Sequence, residues 1–492
     1  MRKSGILMPI FSLPGVYGIG TFSKEAYAFI DFLKAAGQKL WQILPLGPTG
    51  YGDSPYQAFS TFAGNPYLID LEALIEEGLL TKKECDSLDW GGSDEYIDYG
   101  NMYVSKFKAL RLAFSRVNLE NEPGFMAFIA ENEDWVKDYA LFMAIKNANG
   151  GACWTEWDKD VLLRKEEALD VCRKAYMDDI LFYEYIQYVF AKQWNALKKY
   201  ANAAGVQIVG DVPIYVAFDS ADIWANPELF QLDEKNVPLA VAGCPPDAFS
   251  ESGQLWGNPL YRWEYHHKTG FQWWIKRLAH CFKLYDVVRV DHFRAFEAYY
   301  SIPYGAETAI NGEWIEGPGM DLFYALEAAL GKREIIAEDL GLLTPEVEQL
   351  LQDSGYPGMK VLQFAFYEDS DSAYLPQNHT KNSVVYTGTH DNQTTLGWYR
   401  TLEAEDKAFL DAYMDIASEK EICATLIRSA MMSVCDTCVI PMQDYLELDD
   451  SARINEPGST GNNWKWRMKK DATASYKALA SRIKTMTKLY SR

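Results

Sequence analysis

The sequence predicts an α/β fold, a (β/α)8 barrel carrying large insertions. Strand-like apolar runs alternate with helical patterns along the chain, which is the signature of βα units and a parallel sheet. Eight such runs occur, the number at which a parallel sheet closes and loses its unpaired edges. Three acids, Asp291, Glu338 and Asp391, each stand at the end of one run, and the rim at the strand C-termini is where such barrels carry their chemistry. The expectation is one catalytic domain over residues 1–492, because barrels with insertions reach this length.

The first run is Gly5–Ile10, and the helix after it places Ala26, Phe29, Ile30 and Leu33 on one face before Gly37 stops it. The second run is Lys39–Leu44. About 160 residues then pass before the third, Val206–Val212, far beyond an ordinary βα connection. The stretches Phe107–Phe114, Ala140–Ile145 and Ile180–Phe190 have helical periodicity, so a mainly helical subdomain is expected as an insertion over about 51–200. Residues 219–271 are rich in Pro, Gly and Trp and poor in periodicity, and are read as a loop-rich active-site cover.

Asp286–Asp291 and Glu334–Glu338 are the fourth and fifth runs. Thr344 and Pro345 then read as N-cap and first helical residue, with Val347, Leu350 and Leu351 inward and Gly355 closing the helix. Met359–Phe364, Ser383–Thr387 and Thr437–Pro441 complete the eight. A last helix is read near Ala472–Leu489, and no appended C-terminal β-domain is expected. No internal repeat or low-complexity tract is found.

Composition is that of an ordinary globular protein, 48% hydrophobic and 24% charged. The net charge of −22 repels polyanions, which argues against nucleic acid and anionic membrane surfaces as partners and leaves a neutral ligand unaffected. Aromatic residues make up 14% of the chain, including 15 Trp and 31 Tyr. Most such rings belong in cores, but those flanking a catalytic motif suit the faces of sugar rings. The eight cysteines have no framework spacing, as in a reducing compartment, and the cytoplasm is the expected location. Cys435 and Cys438 form a C-x-x-C without a second pair or a nearby His, so they read as structural thiols. Pro9 and Pro14 interrupt the apolar N-terminus, and Lys24 and Glu25 follow soon after, which argues against a signal peptide. No window reaches the roughly 18 apolar residues of a membrane span.

Cleavage of a glycosidic bond needs a proton donor for the leaving oxygen and a carboxylate across the anomeric carbon. In VVRVDHF, Arg289 and Asp291 are two apart, so a strand directs both to one face, where the guanidinium would keep Asp291 ionised as a nucleophile requires. The competing reading is a surface ion pair on an edge strand. Glu338 follows the apolar Ile335, Ile336 and Ala337, so burial should favour its protonated form, as a general acid needs; alone it also reads as an N-cap. Its neighbour Asp339 should point the other way and serve structure. In GTHDN, Gly388 allows close backbone approach, His390 can donate to a sugar hydroxyl and Asp391 follows. Metal binding by His292, His390 and the acids is the alternative, though no tight ligand spacing supports it.

Seven motifs then carry a resemblance over nearly the whole length. They are GYGDSPYQAFSTFAGNPYL (50–68), GDVPIYVAFDSAD (210–222), PPDAFSESGQLWGNPLYRW (245–263), RVDHFRAF (289–296), AEDLG (337–341), GTHDNQTTLGW (388–398) and NEPGSTGNNWKWR (455–467). Together they resemble the 4-α-glucanotransferases called amylomaltase or disproportionating enzyme, relatives of the α-amylase clan. The resemblance implies Asp291 as nucleophile, Glu338 as general acid/base and Asp391 as the carboxylate that holds and distorts the reacting sugar. It makes Arg289, His292, His390 and Asp211 sugar-binding or Asp291-supporting residues. It also places Ser54, Tyr56, Gln254, Trp256 and Asn462 at subsites and Tyr51 at an outer stacking position. The family commonly has Gly where this chain has Ala295.

The resulting expectation is a retaining enzyme that passes an α-1,4-glucan segment from Asp291 to the 4-hydroxyl of glucose or a maltooligosaccharide. No cofactor and no metal are expected, because the two carboxylates supply the proton and nucleophile chemistry. Asp291 and Glu338 should face each other at about 5–5.5 Å. The rivals are an α-glucan hydrolase on the same barrel and a glucan-binding protein without catalysis.

Overall fold

A computed structural model describes residues 2–50, 52–246, 250–341, 343–367, 371–459 and 461–492, without the side chains of 473–475. Among these, twelve strands are formed: β1 (Lys3–Leu7), β2 (Leu40–Gln42), β3 (Gln207–Val212), β4 (Ala240–Cys244), β5 (Gln254–Pro259), β6 (Val287–Val290), β7 (Ala298–Pro303), β8 (Glu313–Glu316), β9 (Ile335–Ala337), β10 (Gly358–Val361), β11 (Ser383–Tyr386) and β12 (Thr437–Pro441).

Eight of them form one parallel sheet in the order β10-β11-β12-β1-β2-β3-β6-β9, and these are the eight runs the sequence picks out. The two ends meet where the Ala337 amide donates to the Pro357 carbonyl at 2.9 Å and the Asp339 carboxylate accepts from the Met359 amide at 2.6 Å. Asp339 therefore points away from Glu338 and closes the barrel. The inside is filled by Leu7, Leu40, Val209, Val287, Ile336, Met359, Val361, Val384, Tyr386 and Val439, and helices cover the outside. Burial on both faces explains why these strands read as continuous apolar runs. In β3, Gly210 is required by its outer neighbour: a Cβ there would lie 2.1 Å from the Tyr285 ring.

The first barrel helix, Lys24–Ala35, buries Ala26, Phe29, Ile30 and Leu33, and Gly37 follows in the left-handed region at φ +74°. The helix Pro345–Ser354 starts after Thr344, which makes no side-chain capping bond, and ends at left-handed Gly355. Between β2 and β3 the structure is helical. Its three predicted stretches lie in helices Tyr99–Phe114, Glu133–Ala148 and Met177–Ala203. The last of these spans 27 residues and leaves the inserted region to pack on the barrel, where Trp194 meets Phe22 at 5.3 Å between ring centroids and its indole N–H donates to the Leu284 carbonyl.

Where the composition of 219–271 reads as loop, the chain builds part of a second sheet. β4 and β5 join β7 and β8 in an antiparallel sheet of order β5-β4-β7-β8. The strands are short, a bulge interrupts the β4–β5 register between Val241 and Gly243, and β7 begins seven residues after Asp291. Short irregular strands paired across long separations leave no alternation for the sequence to display. Among the described residues, no helix is long and apolar enough to cross a membrane.

Candidate active site

The inward-facing columns of the barrel change chemistry at its C-terminal end. Val209, Val287, Ile336 and Val384 fill the interior, and two residues further along the same columns stand Asp211, Arg289, Glu338 and Tyr386. Asp211 and Arg289 are register partners on β3 and β6, both almost fully buried. One Arg289 nitrogen, Nη1, donates to both Asp211 oxygens at 2.8 Å and to Asp291 Oδ1 at 3.0 Å. Asp291 and Glu338 follow the paired residues Val290 and Ala337, so they rise from adjacent strand ends. The chain then turns sharply. His292 takes a left-handed conformation at φ +52°, rare for a non-glycine residue. That turn aims the His292 amide at Glu338 Oε2, 2.7 Å away, while the Leu340 amide donates to Oε1 at 2.8 Å.

Burial raises both carboxyls above the ordinary carboxylate range. For Asp291, burial acts first, Arg289 opposes it, and the Glu338, Asp211 and Asp391 carboxylates add to the rise. For Glu338, burial is opposed by Arg289 and by the two amides. Arg289 contacts Asp291 as the strand spacing predicts, but the guanidinium is shared with Asp211 and like charges crowd the site. The two buried carboxyls thus rise from adjacent strand ends, with the direct Arg289 contact and an accessible edge, 28% of the side chain, on the Asp291 side.

Asp391 lies in the loop after β11. Asn455 Nδ2 donates to its Oδ1 at 2.6 Å, and Arg453 holds its carbonyl at 3.2 Å. Beside it, the Tyr56 hydroxyl lies 2.9 Å from Asp211 Oδ2 and 2.8 Å from His390 Nε2, with the two rings stacked. Burial keeps the Tyr56 phenol protonated and pushes the His390 imidazole down toward neutrality. The single phenolic proton goes to the Asp211 carboxylate, so the phenolic oxygen accepts the Nε2–H of His390. His390 Nε2 also lies 3.4 Å from Asp391 Oδ2, and Nδ1 has no partner among the described residues.

Residues without any sequence signal hold this loop. The buried Asp444, just beyond β12, accepts from the Thr387 hydroxyl at 2.5 Å, the Thr395 amide at 2.9 Å and the Thr395 hydroxyl at 2.8 Å, tying both ends of the loop to one carboxylate. Asp450 accepts from Gln393 and Thr394. Gly397 is what lets it approach, since a Cβ there would sit 2.0 Å from Asp450 Oδ1. Asn455 falls inside a motif noted above, whereas Arg453, Asp444 and Asp450 reach the loop from segments after β12 whose spacing follows no rule.

The β4–β5 hairpin forms one wall. Trp256 meets the His292 ring edge to face at 4.8 Å, and its indole N–H donates to Gln254 Oε1 at 3.1 Å. Burial pushes the His292 imidazole down to about 3, leaving it neutral. Ser54 opens the turn that presents Tyr56, whose amide donates to the Ser54 hydroxyl at 3.2 Å. Asn462 is exposed and lines a cleft of about 940 Å³ with Asp53, Tyr96 and Arg453, a region that adjoins Asp391 through Arg453 and does not include the Asp291–Glu338 pair. Tyr51 lies outside the described residues. The structure thus brings together Asp211, Arg289, Asp291, His292, Glu338, Tyr56, His390, Asp391, Gln254 and Trp256, with Ser54 behind Tyr56 and Asn462 farther out.

Cys435 and Cys438 are fully buried around the start of β12, and burial pushes the Cys438 thiol up to about 12, so neither is a reactive thiolate. Among the described residues no group of three or more His, Cys, Asp or Glu side chains is arranged to hold a metal ion.

Comparison with known proteins agrees over the whole chain. A family model described as 4-alpha-glucanotransferase matches residues 8–473. A 4-alpha-glucanotransferase of Clostridium butyricum is 48% identical over 487 residues, covering 99% of this chain and 100% of its own. One from Thermus thermophilus is 48% identical over 478 residues, 95% of each. The structure of the amylomaltase from Streptococcus agalactiae in complex with acarbose is similar with a TM-score of 0.96 at 43% identity, covering 100% of both chains. That of the amylomaltase from Corynebacterium glutamicum, 19% identical, shares the fold with a TM-score of 0.80 over 99% of this chain and 75% of its own.

Proposed function

The chain belongs to the 4-alpha-glucanotransferase family, and from that membership we propose how its site transfers an α-1,4-glucan segment from one chain to another. The activity is that of a glycosyl-transferring enzyme acting on glucans. The observation that carries the residue assignment is the placement of Asp291 and Glu338 on adjacent strand ends, with Arg289 bonded to Asp291.

In this reading Asp291 attacks the anomeric carbon of the donor while Glu338 gives its proton to the departing 4-oxygen. The new bond is an ester between Asp291 and the glucan, and the reducing-end fragment leaves as an alcohol. Glu338, now ionised, takes the proton of an acceptor 4-hydroxyl, whose oxygen displaces Asp291. Two inversions give net retention. Asp391, held by Asn455, binds and distorts the reacting sugar, and Tyr56, His390 and Asp211 keep Arg289 and Asp291 in place. Maltooligosaccharides and α-1,4-glucans are the proposed substrates, the cytoplasm is the proposed compartment, and neither cofactor nor metal takes part. Incubation with maltotriose followed by product separation tests the reading: glucose with longer oligomers supports transfer, and glucose with maltose alone means hydrolysis.

The raised carboxyls predict where activity titrates. The first proton must leave so that Asp291 is ionised, and the second must stay so that Glu338 is an acid. Both steps lie above the ordinary carboxylate range, because burial raises each group and the first charge opposes the second ionisation. The profile of kcat/KM against pH should be a bell with both limbs above those of exposed carboxyls, and replacing Glu338 by Gln should abolish the alkaline limb. An alkaline limb that persists in Glu338→Gln would assign that proton elsewhere.

Trp256 on the covering hairpin is proposed to hold the acceptor sugar and limit water at the glycosyl-enzyme. Trp256→Ala should raise the ratio of hydrolysis to transfer by about tenfold and weaken acceptor binding. New reducing ends counted against glucose released measure it, and an unchanged ratio would remove Trp256 from acceptor control.

A further inference from the structure

The β4–β5 hairpin is bonded to the segment that carries Tyr56 through a pair of side-chain amides. Gln57 directly follows Tyr56. Its Nε2 donates to Asn258 Oδ1 at 2.9 Å and reaches the Trp256 carbonyl at 3.5 Å. In return, Asn258 Nδ2 donates to the Val216 carbonyl at 2.9 Å and reaches Gln57 Oε1 at 3.5 Å. Asn258 is 4% exposed, so its amide depends on these partners rather than on water. Between Trp256 and Asn258, Gly257 sits at φ +78° with nothing within 4 Å of where its Cβ would be. The hairpin is therefore kinked at a residue with open space where a Cβ would stand, and is secured immediately beyond it.

The two ends of this contact are each a short step from the chemistry. Tyr56, one residue from Gln57, bonds Asp211 and His390. Trp256, two residues from Asn258, packs on His292, the residue after Asp291. Displacing Asn258 moves the wall that faces the anomeric carbon relative to the rim that holds the donor. A glycosyl-enzyme is intercepted by whichever hydroxyl is better placed. A sugar competes with water only while it is held in line and water is excluded.

We propose that the Gln57–Asn258 amide pair is a clasp that sets how the glycosyl-enzyme divides between water and a sugar acceptor. Both residues are positioning residues that act through Trp256 and Tyr56. The proposal rests on the transferase reading given above. Because the clasp is neutral, it acts without dependence on pH or salt across the range in which the catalytic pair is active.

The test uses the full-length protein with maltotriose and counts new reducing ends per glucose released. That ratio does not change with the fraction of correctly folded enzyme, so a merely structural contact would leave it unmoved. Gln57→Leu keeps the side-chain size and removes the hydrogen bonds that Gln57 makes to Asn258 and to the Trp256 carbonyl, leaving Asn258 bonded to Val216 alone. Its ratio should rise about tenfold, in keeping with the loss of one or two buried hydrogen bonds. Gly257→Ala, which strains the left-handed kink without filling occupied space, should move the ratio in the same direction. A wild-type protein that transfers, with a ratio unmoved in both variants, overturns the clasp alone. A wild-type protein that yields only glucose and maltose overturns the transferase reading and the clasp with it.

Discussion

Replacing Asp291 by Ala or Asn lowers turnover on maltooligosaccharides by about ten thousandfold or more, the scale seen when a covalent nucleophile is removed. The loss is chemical. Asp291 stands beyond the last residue of β6, keeps 28% of its side chain accessible, and leaves Arg289 still paired with Asp211 when it is removed. Circular dichroism and thermal melting should therefore match the parent closely. Asp391→Ala should also lose activity by about a hundredfold or more, since on the proposed reading it removes the carboxylate that binds and distorts the reacting sugar. A folded Asp291→Ala protein with near-normal turnover would end the nucleophile assignment.

Glu338→Gln or Ala should cost about a thousandfold on maltooligosaccharides, whose leaving oxygen needs a proton. The same variants should form the glycosyl-enzyme readily from a maltosyl fluoride, because fluoride departs without protonation. The second half of the reaction still lacks its base, so the intermediate should persist. Rates with the two donors, measured side by side, check this. An equal loss on both would show that Glu338 shapes the site rather than moving a proton.

Much of this was legible because barrel strands and rim acids are local features. Each of the eight strands is a run of apolar residues buried on both faces, and its C-terminal residue lies at the rim whatever the rest of the chain does. Arg289 and Asp291 share a face by strand geometry alone, and their contact follows. Other parts depend on where distant segments meet. Asp444 reaches Thr387 and Thr395 across 57 and 49 residues of chain. The second sheet pairs β4 with β7 across the intervening β5 and β6. Spacing places Arg289 beside Asp291 but does not reveal that Asp211 takes two of the three contacts of that nitrogen.

The most direct measurement is the site of the covalent adduct. The Glu338→Gln protein is incubated briefly with a maltosyl fluoride lacking its non-reducing 4-hydroxyl, which can act as donor but not extend into a longer donor, then quenched in acid, digested and mapped by mass spectrometry. The account predicts a single peptide heavier by one such maltosyl unit, with fragmentation placing the sugar on Asp291. An adduct on another residue, or complete turnover of the fluoride with inverted product and no adduct at any time, would contradict it.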